Sequence, residues 1–512
     1  MALNQVNFVK GAAGLGRPLD GEDHISGMVF YTGTLPSGFG TSDRIKKFYS
    51  LSEAVTAGIV NTSIDETKAV AKVAIGGTPA IGDTLKVTYL GADGLVTVLE
   101  TYALVSGEET TTTTAAAAYA AKINIGTSVH GFSATNSTLN VLISTKPGEG
   151  VFPNSGTPYA ATVTGANTAT VTQPTGSAST VLGVASKINT FYYHISEFFR
   201  MQPKGILYVG IYSEPGGAYG FTELTTVSDY AGGKIRQFGV YVSSLAYTTA
   251  HITALQVIAT AASVAFKPFN VIYQGNIQGT ATITDLVSVK TFSAPNVSVS
   301  IGQDGSLSGL HLYKAVGKSI GCMGTLLGCV SKAKVSESIA WVEKFNIANT
   351  EFEIAAFANG QLFRDLSTTS LDALNSNGFI FLRKFTGISG TYFNDTFTAT
   401  LATSDYSTIE NNRTQDKAIR NIRAALLPKL NSPLLIDPVT GYLSEDTISL
   451  FENICNLPIE AMEKNGELSG HVVTIDPIQN VLSTSKLVIS ILNVPVGVAR
   501  QIEFNIGFTN KI

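Results

Sequence analysis

The sequence predicts a multidomain protein of mixed α/β and α+β class. Its expected parts are a layered α/β core, an inserted β-sandwich domain, and a C-terminal α+β domain with exchanged terminal strands. Three observations predict this. At 512 residues the chain is too long for one ordinary core, and roughly two to four domains are expected. Beyond Thr190, helical periods alternate with near-continuous apolar runs, as in a sheet covered on both faces. From Val70 to Ala185 there are four lysines, no arginine and many Thr, Ala and Gly, a composition unlike the flanking sequence. The division expected is an extended arm over 1–20, an α/β core over 21–65 and 189–403, an inserted β-sandwich-like domain over 66–188, and a C-terminal α+β domain over 404–512.

In chain order, Asn4–Val9 alternates polar and apolar residues, with Val6 and Phe8 on one side, ahead of the glycine run Gly11–Gly16. Glycine relaxes the backbone, so this run reads as a hinge for a terminal strand. Gly27–Tyr31 is an apolar strand and Leu51–Ala57 a helix or loop. In the inserted unit, Thr84–Leu90, Leu95–Leu99, Leu139–Ile143 and Ala160–Thr164 read as short strands between turn residues. Ala115–Lys122 reads as a helix capped by a preceding threonine; the threonine run is either an ordered loop or a disordered linker.

Phe191–Arg200 has a helical period, and Gly205–Ile211 is a continuous apolar strand. Phe238–Val242, the helix Thr249–Ala265 and Asn270–Tyr273 repeat the unit. Val297–Ile301, a long helical region near Leu310–Leu327, and Phe379–Phe385 continue it. A helix over Asn411–Leu427 carries Arg413, Lys417, Arg420 and Arg423 within an arc of roughly 120°. Such a stripe is either a solvated face or a contact with an acidic neighbour. Glu445–Glu463, with Glu445 and Glu452, is expected to be split into two helices by Pro458. From Val498 to Phe508, the residues Val498, Ile502, Phe504, Ile506 and Phe508 alternate with Ala499, Gln501, Glu503, Asn505 and Gly507. Arg500 is the one break. A period of two means a strand with one buried face, and its backbone edge needs a partner.

Composition and motifs narrow the function. Charged residues are 14% of the chain, against about 25% in ordinary domains, which fits either a surface covered by copies of itself or β-rich domains. A net charge of −4 lacks the basic excess of a general nucleic-acid binder. Cys322, Cys329 and Cys455 offer no disulfide framework. The first two lie seven apart and are either buried apolar residues or a metal or redox pair. Met-Ala-Leu-Asn-Gln begins no secretory signal, and the apolar stretch Ile252–Phe266 is too short to span a bilayer. Ala315–Ser319 ends like a P-loop, but the glycine required five positions before Gly317 is Leu312. The six histidines show no metal-ligand spacing. No catalytic residue, cofactor or metal is expected.

Ser404–Tyr406, Asn411, Arg413, Asp416-Lys417, the arginine-bearing helix before Pro428, Ile475–Pro477 and the last two strand-like segments follow in a distinctive order. Together with Gly378–Arg383, Gly387 and Gly390–Tyr392, this order resembles the tail sheath proteins of contractile phage tails and related contractile injection systems. The resemblance covers roughly Thr190–Ile512 and the first sixty residues. It implies a non-enzymatic structural subunit that polymerises helically around an inner tail tube and contracts to drive the tube through a cell envelope. Implied partners are further copies of the chain, the tube protein, and baseplate and tail terminator proteins, without nucleic acid or membrane insertion. The implied location is the virion tail, assembled in the host bacterial cytoplasm. Candidate inter-subunit strand residues are Val6, Phe8, Ile502, Phe504, Ile506 and Phe508. Candidate charge contacts to a neighbour or the tube are Arg413, Lys417, Arg420, Arg423, Glu445 and Glu452. A bacteriocin-like or extracellular injection system sheath is an alternative setting. A β-rich surface-layer or adhesin module, or an α/β enzyme, are alternatives of other classes.

Overall fold

A computed structural model describes residues 19, 21–61, 68–91, 96–105, 107–146, 156–175 and 187–509. At its centre is a six-stranded sheet in the order Val297–Val299, Asn270–Asn276, Gln237–Ala246, Ile25–Tyr31, Ile206–Tyr212, Ile45–Phe48. All neighbours run parallel except Ile45–Phe48, which pairs antiparallel with Ile206–Tyr212 at one edge. Ile25–Tyr31 is buried along its whole length, as a central strand covered on both faces must be. Its alternation sorts the core. Met28 and Phe30 pack with Phe191, Phe198 and Leu326, from the helices Lys187–Met201 and Met323–Lys332. Val29 and Tyr31 face the other way, toward Leu224, Ile252 and Leu255 of the helices Glu223–Tyr230 and Ala250–Val264.

Residues 70–172 build two further antiparallel sheets, one of four strands and one of three, around a core of their own that includes Val73, Val87, Tyr89, Tyr119, Phe132 and Tyr159. The helix Thr112–Ile125 closes this core. Thr111 caps it, accepting from the Thr114 amide while the Thr114 hydroxyl accepts from the Thr111 amide. The threonine run is therefore ordered here. After the main sheet come the hairpin Leu382–Phe385/Ile388–Phe393, the helices Ile409–Leu426 and Glu445–Lys464, and the ribbon Leu468–Thr474/Ser490–Pro495.

Three expectations are corrected. The helical region near Leu310–Leu327 is two helices, Leu307–Val316 and Met323–Lys332. Gly317, at φ +62°, ends the first in the left-handed region that glycine tolerates. Pro458 does not split Glu445–Lys464. The buried residues Phe451, Cys455, Ile459 and Met462 keep one continuous face through the proline, and that packing outweighs one lost backbone bond. Phe379–Phe385 meets the main sheet only through a parallel bridge from Ile380 to Ser300, beside the edge strand; its regular part, Leu382–Phe385, pairs within its own hairpin. Among the described residues Val498–Phe508 pairs with no strand, so within one chain its alternation is present without a ladder. The Asn4–Val9 strand and the Gly11–Gly16 hinge lie outside the described residues.

Candidate inter-subunit interface

The C-terminal segment exposes apolar side chains that folding normally hides. Ile502, Phe504, Ile506 and Phe508 are 79%, 80%, 89% and 111% accessible. Isolated exposed apolar residues are ordinary, but four large ones on alternate positions form a coherent unpaired face. Just before them lies a ribbon with its own unmet needs. Leu468–Thr474 and Ser490–Pro495 make a sheet of only two strands, so each has one ladder neighbour among the described residues. Val473 and Ile491, opposite each other, turn inward onto Ala418, Ile459 and Met462. Val472 and Leu492 pair on the outer face and are exposed, as is Val494.

Between this ribbon and the helix Ile409–Leu426 runs an apolar groove of about 530 Å3, lined by Phe266, Ile419, Ile422, Leu426, Ile489 and Ile491. Ile419 and Phe266 are exposed at its mouth. Ala418 and Ile422 of this helix pack against Ile459 and Met462 while Ile419 opens to the groove, and Arg413, Lys417 and Arg420 turn inward, unlike a solvated basic stripe.

Several of the charged residues expected to meet a neighbour have partners inside the chain. Arg413 is buried and donates to the carbonyls of Ala333 (3.3 Å), Lys334 (3.3 Å) and Asp23 (3.2 Å). Lys417 Nζ lies 2.7 Å from the Asp23 carboxylate and 2.6 Å from Glu467, and Arg420 reaches Asp23 at 2.7 Å. Burial pushes the Asp23 carboxyl up, yet the Lys417 hydrogen bond and the charges of Lys417, Arg420 and Arg413 outweigh it and leave it below its usual range. Burial brings the Arg413 guanidinium down to about 10 against the opposing pull of Asp23. The helix is therefore fastened by its basic face to the residue two positions before the central strand. Helical spacing placed Arg413, Lys417 and Arg420 on one face, and within the chain that face meets Asp23, 390 or more positions away. Arg423 stacks over Phe266, 3.9 Å from the ring centre. Glu452 accepts from the Ile475 amide at 3.3 Å, also within the chain. Glu445 is exposed at the start of its helix. Val6 and Phe8 lie outside the described residues.

Residues 139–397 match the model of the DUF2586 N-terminal domain, which is half of the chain, and residues 405–512 match that of the DUF2586 C-terminal domain. The chain belongs to the DUF2586 family. This DUF2586 protein matches no curated protein. Among solved structures it is similar to a chain of the anti-feeding prophage (AFP) baseplate, 6-fold symmetrised, at 16% identity and a TM-score of 0.41, covering 64% of this chain and 82% of that one. It is also similar to a chain of an extracellular contractile injection system, the PVC sheath complex in its contracted state. There the identity is 13%, the TM-score 0.42, and the coverage 63% of this chain and 81% of that one.

Sequence reasoning found the DUF2586 protein's exposed segment through its alternation. It missed the outward face of the ribbon, where Val472 and Leu492 sit in short runs whose pairing only the fold defines. It also missed Asp23, which no motif marks. The buried thiols of Cys322 and Cys329 are pushed up to about 12 by burial, the environment of packed apolar residues. Among the described residues no cluster of His, Cys, Asp or Glu is fit to hold a metal, and no helix is long and apolar enough to cross a membrane.

Proposed function

We propose that this protein is a self-assembling structural subunit of a contractile tail or injection-system sheath, joined to its neighbours by donation of its C-terminal segment. The observation that carries the reading is the exposed alternation from Ile502 to Phe508 beside a two-stranded ribbon whose outer edges have no ladder partner among the described residues. The order of motifs from Ser404 to Phe508 that resembles sheath proteins supports the contractile setting. In this reading the partners are other copies, an inner tube, and baseplate and terminator proteins, and the residence is the virion or particle tail. The unit 66–188 projects outward from the core and contributes least to the lattice. Contraction is the passage of a metastable lattice to a better packed one, with the energy stored at assembly and no nucleotide consumed.

Magnitudes constrain the joint. Burying each of the four side chains gains about 1.5–3 kcal/mol. Four together roughly offset the lost freedom of association, about 4–15 kcal/mol. Net affinity then has to come from ladder hydrogen bonds, about 1 kcal/mol each, and from repetition along the lattice. Single joints are accordingly weak and the polymer cooperative.

The test is negative-stain electron microscopy of the full chain beside a variant ending at Arg500. Rings or tubes from the full chain and none from the truncated one are expected, with unchanged melting of the truncated monomer. A full chain that stays monomeric when mixed with its tube protein overturns the proposal.

A further inference from the structure

Arg500, the one residue that breaks the terminal alternation, turns back into the body. Its Nε lies 3.0 and 2.9 Å from the two carboxylate oxygens of Asp395, and one terminal nitrogen lies 2.5 Å from Glu410 Oε1 and 3.4 Å from Thr396 Oγ1. The carboxylates are themselves held. Asp395 accepts from the Thr396 amide at 2.8 Å, and Glu410 accepts from the Thr396 hydroxyl at 2.6 Å. Their side chains are only 9% and 2% exposed, so two acids are out of water with one guanidinium across both. Lys290 and Arg413 feel the charges of Asp395 and Glu410 respectively but give their hydrogen bonds elsewhere, Lys290 to the Thr398 carbonyl and Arg413 to the carbonyls of Ala333, Lys334 and Asp23. From Ala499 to Phe508, Arg500 alone forms an ion pair with the body.

We propose that Asp395 and Glu410 form a guanidinium socket that latches the root of the C-terminal segment in its own chain, so that only the residues after Arg500 pass to a neighbouring copy. This rests on the donation reading above. The geometry favours a latch over a surface ion pair. A guanidinium spanning two carboxylates is directional, and vacating the socket leaves buried carboxylates without the cation that hydrogen-bonds them. The root therefore stays while the residues beyond it are free to move. The socket also fixes the phase of the donated face: Ile502, Phe504, Ile506 and Phe508 all sit at even offsets from Arg500, so a root held at that residue sends all four to one side. A copy whose root can slide by one residue presents Glu503 and Asn505 to the neighbour instead.

The experiment uses the full chain with two kinds of variant. Arg500→Ala combined with Asp395→Asn and Glu410→Gln removes the latch without leaving a buried charge, and Arg500→Lys keeps the charge but loses the fork. A nitroxide label on Val498→Cys reports root mobility in the unassembled chain; the three native cysteines are buried. Expected are a more mobile label in both variants and a concentration for half-assembly raised at least tenfold in the combined variant and less in Arg500→Lys. A label equally immobile in wild type and both variants overturns the latch. So does wild-type assembly by both variants. Mixing Arg500→Ala chains with Asp395→Asn/Glu410→Gln chains gives a further reading: restored assembly means that the socket takes a neighbour's arginine, which overturns a latch within one chain. If wild type never assembles, the donation reading fails, and the label measurement still decides the latch.

Discussion

At the scale of single residues, Asp23 carries more of this structure than its sequence context signals. Its carboxylate sits between Lys417 and Arg420, and its carbonyl accepts from Arg413. Asp23→Ala leaves partly buried cations without a counter-charge, and a loss toward the low end of about 3–5 kcal/mol is expected by denaturant unfolding at pH 7. The pH dependence has a definite sign. The folded carboxyl titrates below its ordinary 3.8, so its contribution is complete above that value and is lost as pH falls through the folded one. The stability gap between wild type and Asp23→Ala should therefore close only in strong acid. A gap that closes between pH 6 and 5 would point to another group. Nothing local announces this residue; Asp23 follows Gly-Glu in an unremarkable polar stretch. Arg500 is the opposite case, visible in sequence as a violation of alternation, although what it violated the pattern for was not.

At the scale of elements, the helices Lys187–Met201 and Met323–Lys332 explain two glycines. A Cβ at Gly324 would stand 2.2 Å from the His194 carbonyl oxygen, and one at Gly328 would stand 2.8 Å from the Phe198 carbonyl oxygen. The two helices touch backbone to backbone, and the Gly324 amide donates to His194 Nδ1 at 3.3 Å. Gly324→Ala is expected to cost about 1–3 kcal/mol through overpacking despite alanine's better helix propensity. Thermal melting checks it, and a stabilised variant would show that the helices can separate without loss. The sequence drew attention to Cys322 and Cys329 at this place, while the spacing that mattered was that of the glycines between them. The same lesson holds for Pro458: a breaker acts on the local backbone, but a face buried on both sides of it holds the helix together.

At the scale of the whole molecule, the unit 70–172 leaves and rejoins the core at neighbouring points. The Asn189 amide donates to the Asn61 side-chain oxygen at 2.9 Å, where the chain departs and where the helix Lys187–Met201 begins. Lys187 itself pairs with Glu214. Replacing residues 67–186 with a short linker is therefore expected to leave the six-stranded sheet folded, with a single cooperative melt and intact assembly. Insoluble or unfolded product would show that the two cores depend on each other.

The sequence by itself determined the central strands and their helices, because continuous apolar runs and 3.6-residue periods are local properties of the chain. It determined the separate character of residues 70–172 through composition, and the C-terminal alternation through a period of two. Only the tertiary structure decided that Arg413, Lys417 and Arg420 face inward, that a proline lies inside an unbroken helix, and that Arg500 closes on Asp395 and Glu410. Each of these depends on groups brought together across long stretches of chain. Periodicity tells which residues share a face, but what that face meets is settled by packing between distant segments.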